Sequence, residues 1–275
     1  MKKHTSKTST SEINSDTNSS NSNYVSARYW ILPTTITIGI IIVWEFWVKI
    51  FGIQEWLLPP PTAIFSEMFE SRDLFLMHTL VTINEVVLGF MFALIVGIFL
   101  AGAISYSNLV ERVAYPFVIA SQTVPVIVIA PLLLIWIGYG ILPKIIVVML
   151  ISFFPIVVNT VDGLKSADTE MMNMLRTLGA SKQQQFFKVR VPYSIPFLFS
   201  GMRIAITLSV IGAVIGEWVG SSAGLGYLMM RSAPQFLTDR VFASIIILSI
   251  MGITLFFLVV LIEKLFVTRY QLEKR

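Results

Sequence analysis

The chain has 275 residues, of which 13% are charged and 55% hydrophobic, with a formal charge of +4, no cysteine and a mean hydropathy of +0.78. A soluble chain carries about 25% charged residues, so this composition belongs in a bilayer, and the missing cysteines exclude disulfides, thiolate metal sites and thiol catalysis. Lipid cannot hydrogen-bond a bare backbone, so long apolar runs there mean helices; the fold class is an all-α polytopic membrane protein.

About 20 apolar residues cross roughly 30 Å of hydrocarbon, and six transmembrane helices are expected near 30–51, 80–104, 115–138, 141–161, 194–218 and 241–263. Ahead of them, residues 1–29 form a Ser/Thr/Asn tract with too few apolar groups to fold. It is expected as a disordered tail rather than a cleavable signal, because the apolar run begins only near Trp30 and lacks a small-residue cleavage site. In the first span, Glu45 and Lys49 are four apart and suit a local ion pair. The following loop, 51–77, sets Glu55, Glu67, Glu70 and Asp73 against Arg72 alone. Pro59 to Pro61 should hold it extended before a short helix with Ile64, Phe65, Met68 and Phe69 on one side, lying along the outer membrane face where it could receive a soluble partner.

Glu85, near the outer end of span two, is expected to snorkel to water. In span three Pro125 and Pro131 should kink the helix and free carbonyls beside Ser121, Gln122 and Thr123, making these three candidates for a polar pathway. Ser152 and Asn159, around Pro155 of span four, follow by the same logic. Only Tyr139 to Pro143 separate these spans, so they should form a helical hairpin.

Between spans four and five, Asp168 to Pro192 is a polar island. Asp168 and Glu170 suit the first turn of a helix, and Met171, Leu175 and Leu178 recur on one face beside Met172 and Arg176. Gly179 should stop that helix, Ser181 should cap a second after Ala180, and Pro192 should end the second. In span five and beyond it Gly212, Gly216, Gly220 and Gly224 recur every four residues, a small-residue stripe for close helix packing, and the run after Gly220 should bend away from the helix axis. Arg203 should reach the inner interface or an acidic partner, and Glu217 should sit at the outer interface. Residues 266–275 are expected as a second tail.

Lys and Arg fix the orientation. Fourteen lie on the side of the N-terminus (Lys2, Lys3, Lys7, Arg28, Arg112, Lys165, Arg176, Lys182, Lys188, Arg190, Lys264, Arg269, Lys274 and Arg275), against Arg72, Lys144, Arg231 and Arg240 opposite. Both termini and the 162–193 loop are therefore expected in the cytoplasm. The basic balance follows from an anionic inner leaflet, and no basic patch interleaves with aromatics as nucleic-acid binding requires.

No G-x-x-x-x-G-K-[ST] phosphate loop, H-E-x-x-H helix or G-x-S-x-G elbow occurs, and the histidines are only His4 and His78. An enzyme reading has no residues to stand on, and no metal or cofactor site is expected.

From Gly179, nine residues lead to Val189, any residue, Val191 and Pro192. That spacing, with RTLGAS around it and GEWVGSSAGLGYLM further on, resembles the permease subunits of binding-protein-dependent ABC importers over about residues 30–265, in the branch for nitrate, sulfonates, taurine and a thiamine-precursor pyrimidine. The chain departs where the family carries an acidic-alanine-alanine triad, having Asn173, Met174 and Leu175. The resemblance implies a cytoplasmic coupling helix within a region 163–192, with Asp168, Glu170, Met171, Met172, Leu175, Arg176, Leu178, Gly179 and Ala180 meeting an ATPase. It also implies two ABC ATPase subunits that bind the ATP, an extracytoplasmic substrate-binding protein, and a second permease chain, identical in the simplest closure or else related. The competing reading is an energy-independent channel or secondary transporter; it leaves the polar island unexplained, and no repeat relates the two halves.

Overall fold

The computed structural model describes the backbone of residues 18–272 and the side chains of residues 32–266, and among these every regular element is helical. Residues 1–63 and 64–275 form two compact units.

In the first unit, α1 (Asn18–Ile50) begins inside the stretch expected to be a tail, whose residues 1–17 lie outside the described residues. Glu45 pairs with Lys49 at 2.5 Å, as its spacing predicts. Its two oxygens also accept from the Thr62 amide at 3.1 Å and the Thr62 hydroxyl at 2.9 Å. Thr62 lies in the first turn of α2 (Pro61–Glu70), so Glu45 caps that helix from a distance.

In the second unit follow α3 (Arg72–Tyr106), α4 (Asn108–Ser121), α5 (Val126–Ile137), α6 (Ile141–Lys165), α7 (Thr169–Thr177), α8 (Lys182–Gln185), α9 (Val191–Trp218), α10 (Leu225–Ser232) and α11 (Thr238–Leu272). Five helices of the described chain are long and apolar enough to cross a membrane, six if α4 and α5 make one bent span. The second span starts at Arg72 rather than near 80, since no proline or glycine lies between Arg72 and Leu88 to interrupt helical bonding. Likewise α11 runs to Leu272, through most of the expected C-terminal tail, and residues 273–275 lie outside the described residues.

Helix α6 is the centre, packed along α9 and α3. The α6–α9 contact is backbone-close because glycines line it. A Cβ at Gly201 would lie 2.7 Å from the Pro155 carbonyl oxygen, one at Gly212 3.0 Å from Val148 Cα, and one at Gly216 3.2 Å from Lys144 Cα. In the same seam Ser152 and Ser209 share a buried hydrogen bond of 2.7 Å. The expected glycine stripe is therefore shorter than its spacing suggests: α9 ends at Trp218, and Gly220 and Gly224 lie in the loop beyond. Around α6, Val157 and Val161 meet Ala101 and Ile104 of α3 and Val118 of α4, while Val147 meets Ala130 and Leu133 of α5.

Two proline sites depart from expectation in opposite senses. The third span does not kink but breaks, with α4 and α5 at 100° across residues 122–125. Pro125 has no N–H and pushes Val124 out of helical conformation. The Ser121 and Thr123 hydroxyls each bond a carbonyl three residues back, at 2.7 Å, and so serve backbone that the break would strand. Pro192 by contrast ends nothing: Lys182–Trp218 is one helical path. A π-turn at Phe186–Arg190, closed by the Val191 amide on the Phe186 carbonyl, widens the helix just before Pro192 and accommodates the ring without a break.

Gly201→Val should force α9 off α6, costing about 1–3 kcal/mol by overpacking, whereas Gly102→Ala, whose Cβ meets nothing within 4 Å, should be neutral. Thermal unfolding of the two variants in one detergent checks the contrast.

Candidate functional site

Two polar assemblies stand at opposite ends of the antiparallel α6–α9 pair. At the α6 C-terminal end is α7, whose cap Asp168 accepts the Glu170 amide at 2.9 Å. At its other end Gly179, at φ +81°, takes the left-handed turn. The Gly179 amide bonds the Arg176 carbonyl at 3.1 Å and the Ala180 amide bonds the Leu175 carbonyl at 2.9 Å, a pairing that closes a helix C-terminus only when the turning residue tolerates positive φ. Ser181 and Gln184 then exchange side-chain and backbone bonds as a capping box that starts α8. Buried Gln185 donates to the Ala180 carbonyl at 2.9 Å, tying the turn to the helix that becomes α9.

Helix α7 has no buried residue. Met174 and Leu178 are its most exposed apolar side chains, Leu178 at 74%; Met171 on the same stripe meets the Tyr193 hydroxyl at 3.9 Å, and Met172 and Leu175 are half-buried. The single apolar face expected of Met171, Leu175 and Leu178 is thus divided between two stripes, because Leu175 lies one step round the helix from Met174 and turns inward with Met172. Of the glycine-to-proline signature, Val189 is buried, and Val191 and Pro192 are half-buried.

The structure does not gather the candidate pathway residues. Ser121, Gln122 and Thr123 are exposed at the α4–α5 break, and half-buried Asn159 donates to the Pro155 carbonyl at 2.8 Å. Ser152 is fully enclosed by the α6–α9 seam, where its bond to Ser209 replaces the open polar surface expected of it.

At the other end of the pair the expectation of water-exposed carboxylates is overturned. Glu85 is 0% and Glu217 1% exposed. Each is buried because partners meet it there. Lys144 of α6 donates to Glu85 at 2.5 Å and to Ser221 Oγ at 2.8 Å. Glu217 accepts from the Thr82 hydroxyl at 2.6 Å and from the amides of Gly226 at 2.5 Å and Tyr227 at 3.4 Å, setting its carboxyl oxygens on the free amides at the N-terminus of α10. Thr82 Oγ also accepts the Leu225 amide, and His78 Nδ1 the Gly224 amide, both at 2.9 Å. Gly224, at φ +118°, lies so close to the Glu217 carboxylate that a Cβ would overlap it. His78, Thr82 and Glu85 together thread a polar stripe along apolar α3 and clamp the 219–226 turn. Their spacing of four and three residues was the signal in the sequence; the partners across the fold carried none. Arg203 finds its acid within the chain, 3.6 Å from Glu263 of α11, and Arg240 reaches Glu67 at 2.7 Å.

Comparison with known proteins follows the same outline. Residues 93–271 match the family described as binding-protein-dependent transport system inner membrane component. The formylaminopyrimidine transport permease protein ThiX of Halalkalibacterium halodurans is 41% identical over 222 residues, 80% of this chain and 88% of that protein. The taurine transport system permease protein TauC of Escherichia coli is 27% identical over 241 residues, 82% and 87% of the respective chains. Among solved structures, an amino acid ABC transporter with histidines superposes with a TM-score of 0.57 at 20% identity, over 74% of this chain and 98% of that one, a likeness of fold.

Glu217→Ala should remove hydrogen bonds worth about 0.5–1.5 kcal/mol each, and Gly224→Ala should add backbone strain of about 1–3 kcal/mol to its overlap with the carboxyl group. Combined, the two should destabilise by clearly less than their sum, because Glu217→Ala removes the atoms that the new methyl strikes. Additivity within about 0.5 kcal/mol in a double-mutant cycle would mean that the two residues do not meet.

Proposed function

Because the chain belongs to the family of binding-protein-dependent transport system inner membrane components, a multi-pass membrane family of ABC transporter permeases, we propose that it is the translocation subunit of an ATP-driven importer that hydrolyses no ATP itself. Two ATPase subunits dock on the cytoplasmic side, a substrate-binding protein delivers from outside, and a second copy of the chain completes the pathway. Both termini lie in the cytoplasm, as the Lys and Arg distribution requires.

The observation that carries this reading is α7. Nine residues long, it is capped at both ends from within the chain, buries nothing, and turns Met171, Met174 and Leu178 outward. A helix with its own caps can move as a rigid piece, and a methionine-rich edge adapts to a partner's groove. It stands between α6 and the helical path that becomes α9. Displacing it with an ATPase therefore loads the two helices that pack most closely, while ATP binding and hydrolysis remain the partner's work.

For the cargo, we favour a small polar heterocycle of the aminopyrimidine class over taurine, sulfonates or nitrate. The 41% identity to a formylaminopyrimidine permease against 27% to a taurine permease supports that order. The test is uptake of labelled formylaminopyrimidine by cells expressing the chain with its ATPase and binding protein. Competition by unlabelled aminopyrimidine but not by taurine is expected, and the reverse pattern would reassign the cargo.

Leu178→Asp, on the free stripe of α7, should lower the ATPase activity that copurifies with the chain about tenfold, equivalent to about 1.4 kcal/mol of docking energy, with the melting temperature unchanged. ATP-independent uptake by the purified chain in vesicles would overturn the importer reading.

A further inference from the structure

The geometry points to a binding site for one anionic phospholipid at the α7 end of the bundle, built from a basic cleft and an apolar groove that share a wall. The cleft, of about 210 Å³, is lined by Arg176, Lys182 and Arg190 and by no acidic residue. Arg190 is half-buried and held in place by its bond to the Ser105 carbonyl at 3.0 Å, while Arg176, one turn after Met172 on α7, and Lys182 are exposed at the cleft's rim. With no carboxylate in its lining, the cleft presents an unneutralised positive field to an anion. Arginine in particular meets phosphate oxygens in a paired geometry. In the same wall Ser105 Oγ is buried with no hydrogen-bond partner among the described residues.

Tyr106 and Phe186, ring centroids 5.5 Å apart and edge to face, line this cleft and also the groove beside it. The groove is about 690 Å³ and runs between α3 and α9, with Phe99 and Gly102 on one bank, Val191 and Ile195 on the other, and Leu164 of α6 on its floor. Its surface is dominated by apolar side chains, and a Cβ on Gly102 would meet nothing within 4 Å, so the glycine opens the groove rather than packing it. A free phosphate would use only the cleft and an uncharged lipid only the groove. An amphiphile with an anionic head and an acyl chain uses both, and the aromatic pair between them sits where such rings mark a membrane interface. The site requires that the chain lie in a bilayer and is independent of the cargo reading; it shares Arg176 and Met172 with the expected ATPase contact, so the experiment reads lipid and ATPase retention separately.

The full chain, purified in mild detergent, is examined by native mass spectrometry and by thermal unfolding with added phosphatidylglycerol, phosphatidylcholine or inorganic phosphate. At equal lipid, retention of phosphatidylglycerol over phosphatidylcholine by about tenfold is expected, with a rise in melting temperature from phosphatidylglycerol alone. Arg176→Gln combined with Lys182→Gln should abolish the preference for the charged head; Gly102→Phe should reduce retention of both lipids, with Gly102→Ala as the control for folding. Equal retention of the two lipids, or equal protection by inorganic phosphate, would overturn the proposal. So would a charge variant that keeps its phosphatidylglycerol but loses the copurifying ATPase, since the cleft would then take an acidic side chain of the partner.

Discussion

The approach of α9 to α6 at backbone distance is the constraint on which the other features rest. With Gly201, Gly212 and Gly216 against Pro155, Val148 and Lys144, the two helices meet without intervening side chains, and Ser152 and Ser209 bond across the seam. In lipid, helix association has no hydrophobic drive and depends on such packing and on interhelical hydrogen bonds. The seam ends at α7 on one side and at the Glu217 clamp on the other, so both polar assemblies are fixed to the same rigid pair.

That pair also carries the short helix at one end: α7 follows α6 in the chain and is joined to the helical path of α9 by the Gln185 tie and the π-turn. A widened turn ahead of Pro192 keeps the helix continuous from Lys182 to Trp218. The break between α4 and α5 and the turn after Trp218 are two of the places where the backbone leaves helical geometry. At the second, Glu217, Thr82 and His78 receive the amides that the turn exposes. Irregular backbone at membrane depth persists only where side chains satisfy it in this way.

Much of this was legible along the chain because it depends on local physics. Apolar runs located the spans; Asp168, Gly179 and Ser181 announced caps and a left-handed turn, since each acts on amides or dihedrals within a few residues of itself; Glu45 and Lys49 announced their pair by spacing. The errors share a cause. Glu85 and Glu217 read as interfacial along the chain because their partners, Lys144 and Thr82 with the α10 amides, are distant in sequence, and an isolated carboxylate in an apolar run has no better local option than the interface. Ser152 reads as open polar surface because Ser209, which bonds it, is 57 residues away. The four evenly spaced glycines looked alike until the helix end at Trp218 separated two that admit a neighbouring helix from two that shape a loop.

Residue order alone settles that this chain is helical, apolar enough for a membrane and equipped with a capped polar connector, because hydrophobicity, capping and glycine conformation are properties of neighbouring residues. Which face of α7 is exposed, whether proline breaks or merely widens a helix, and that two carboxylates are buried emerge only in the folded chain. Each of those outcomes is set by a partner brought near by folding, and the spacing of residues along one helix carries no record of the helix opposite.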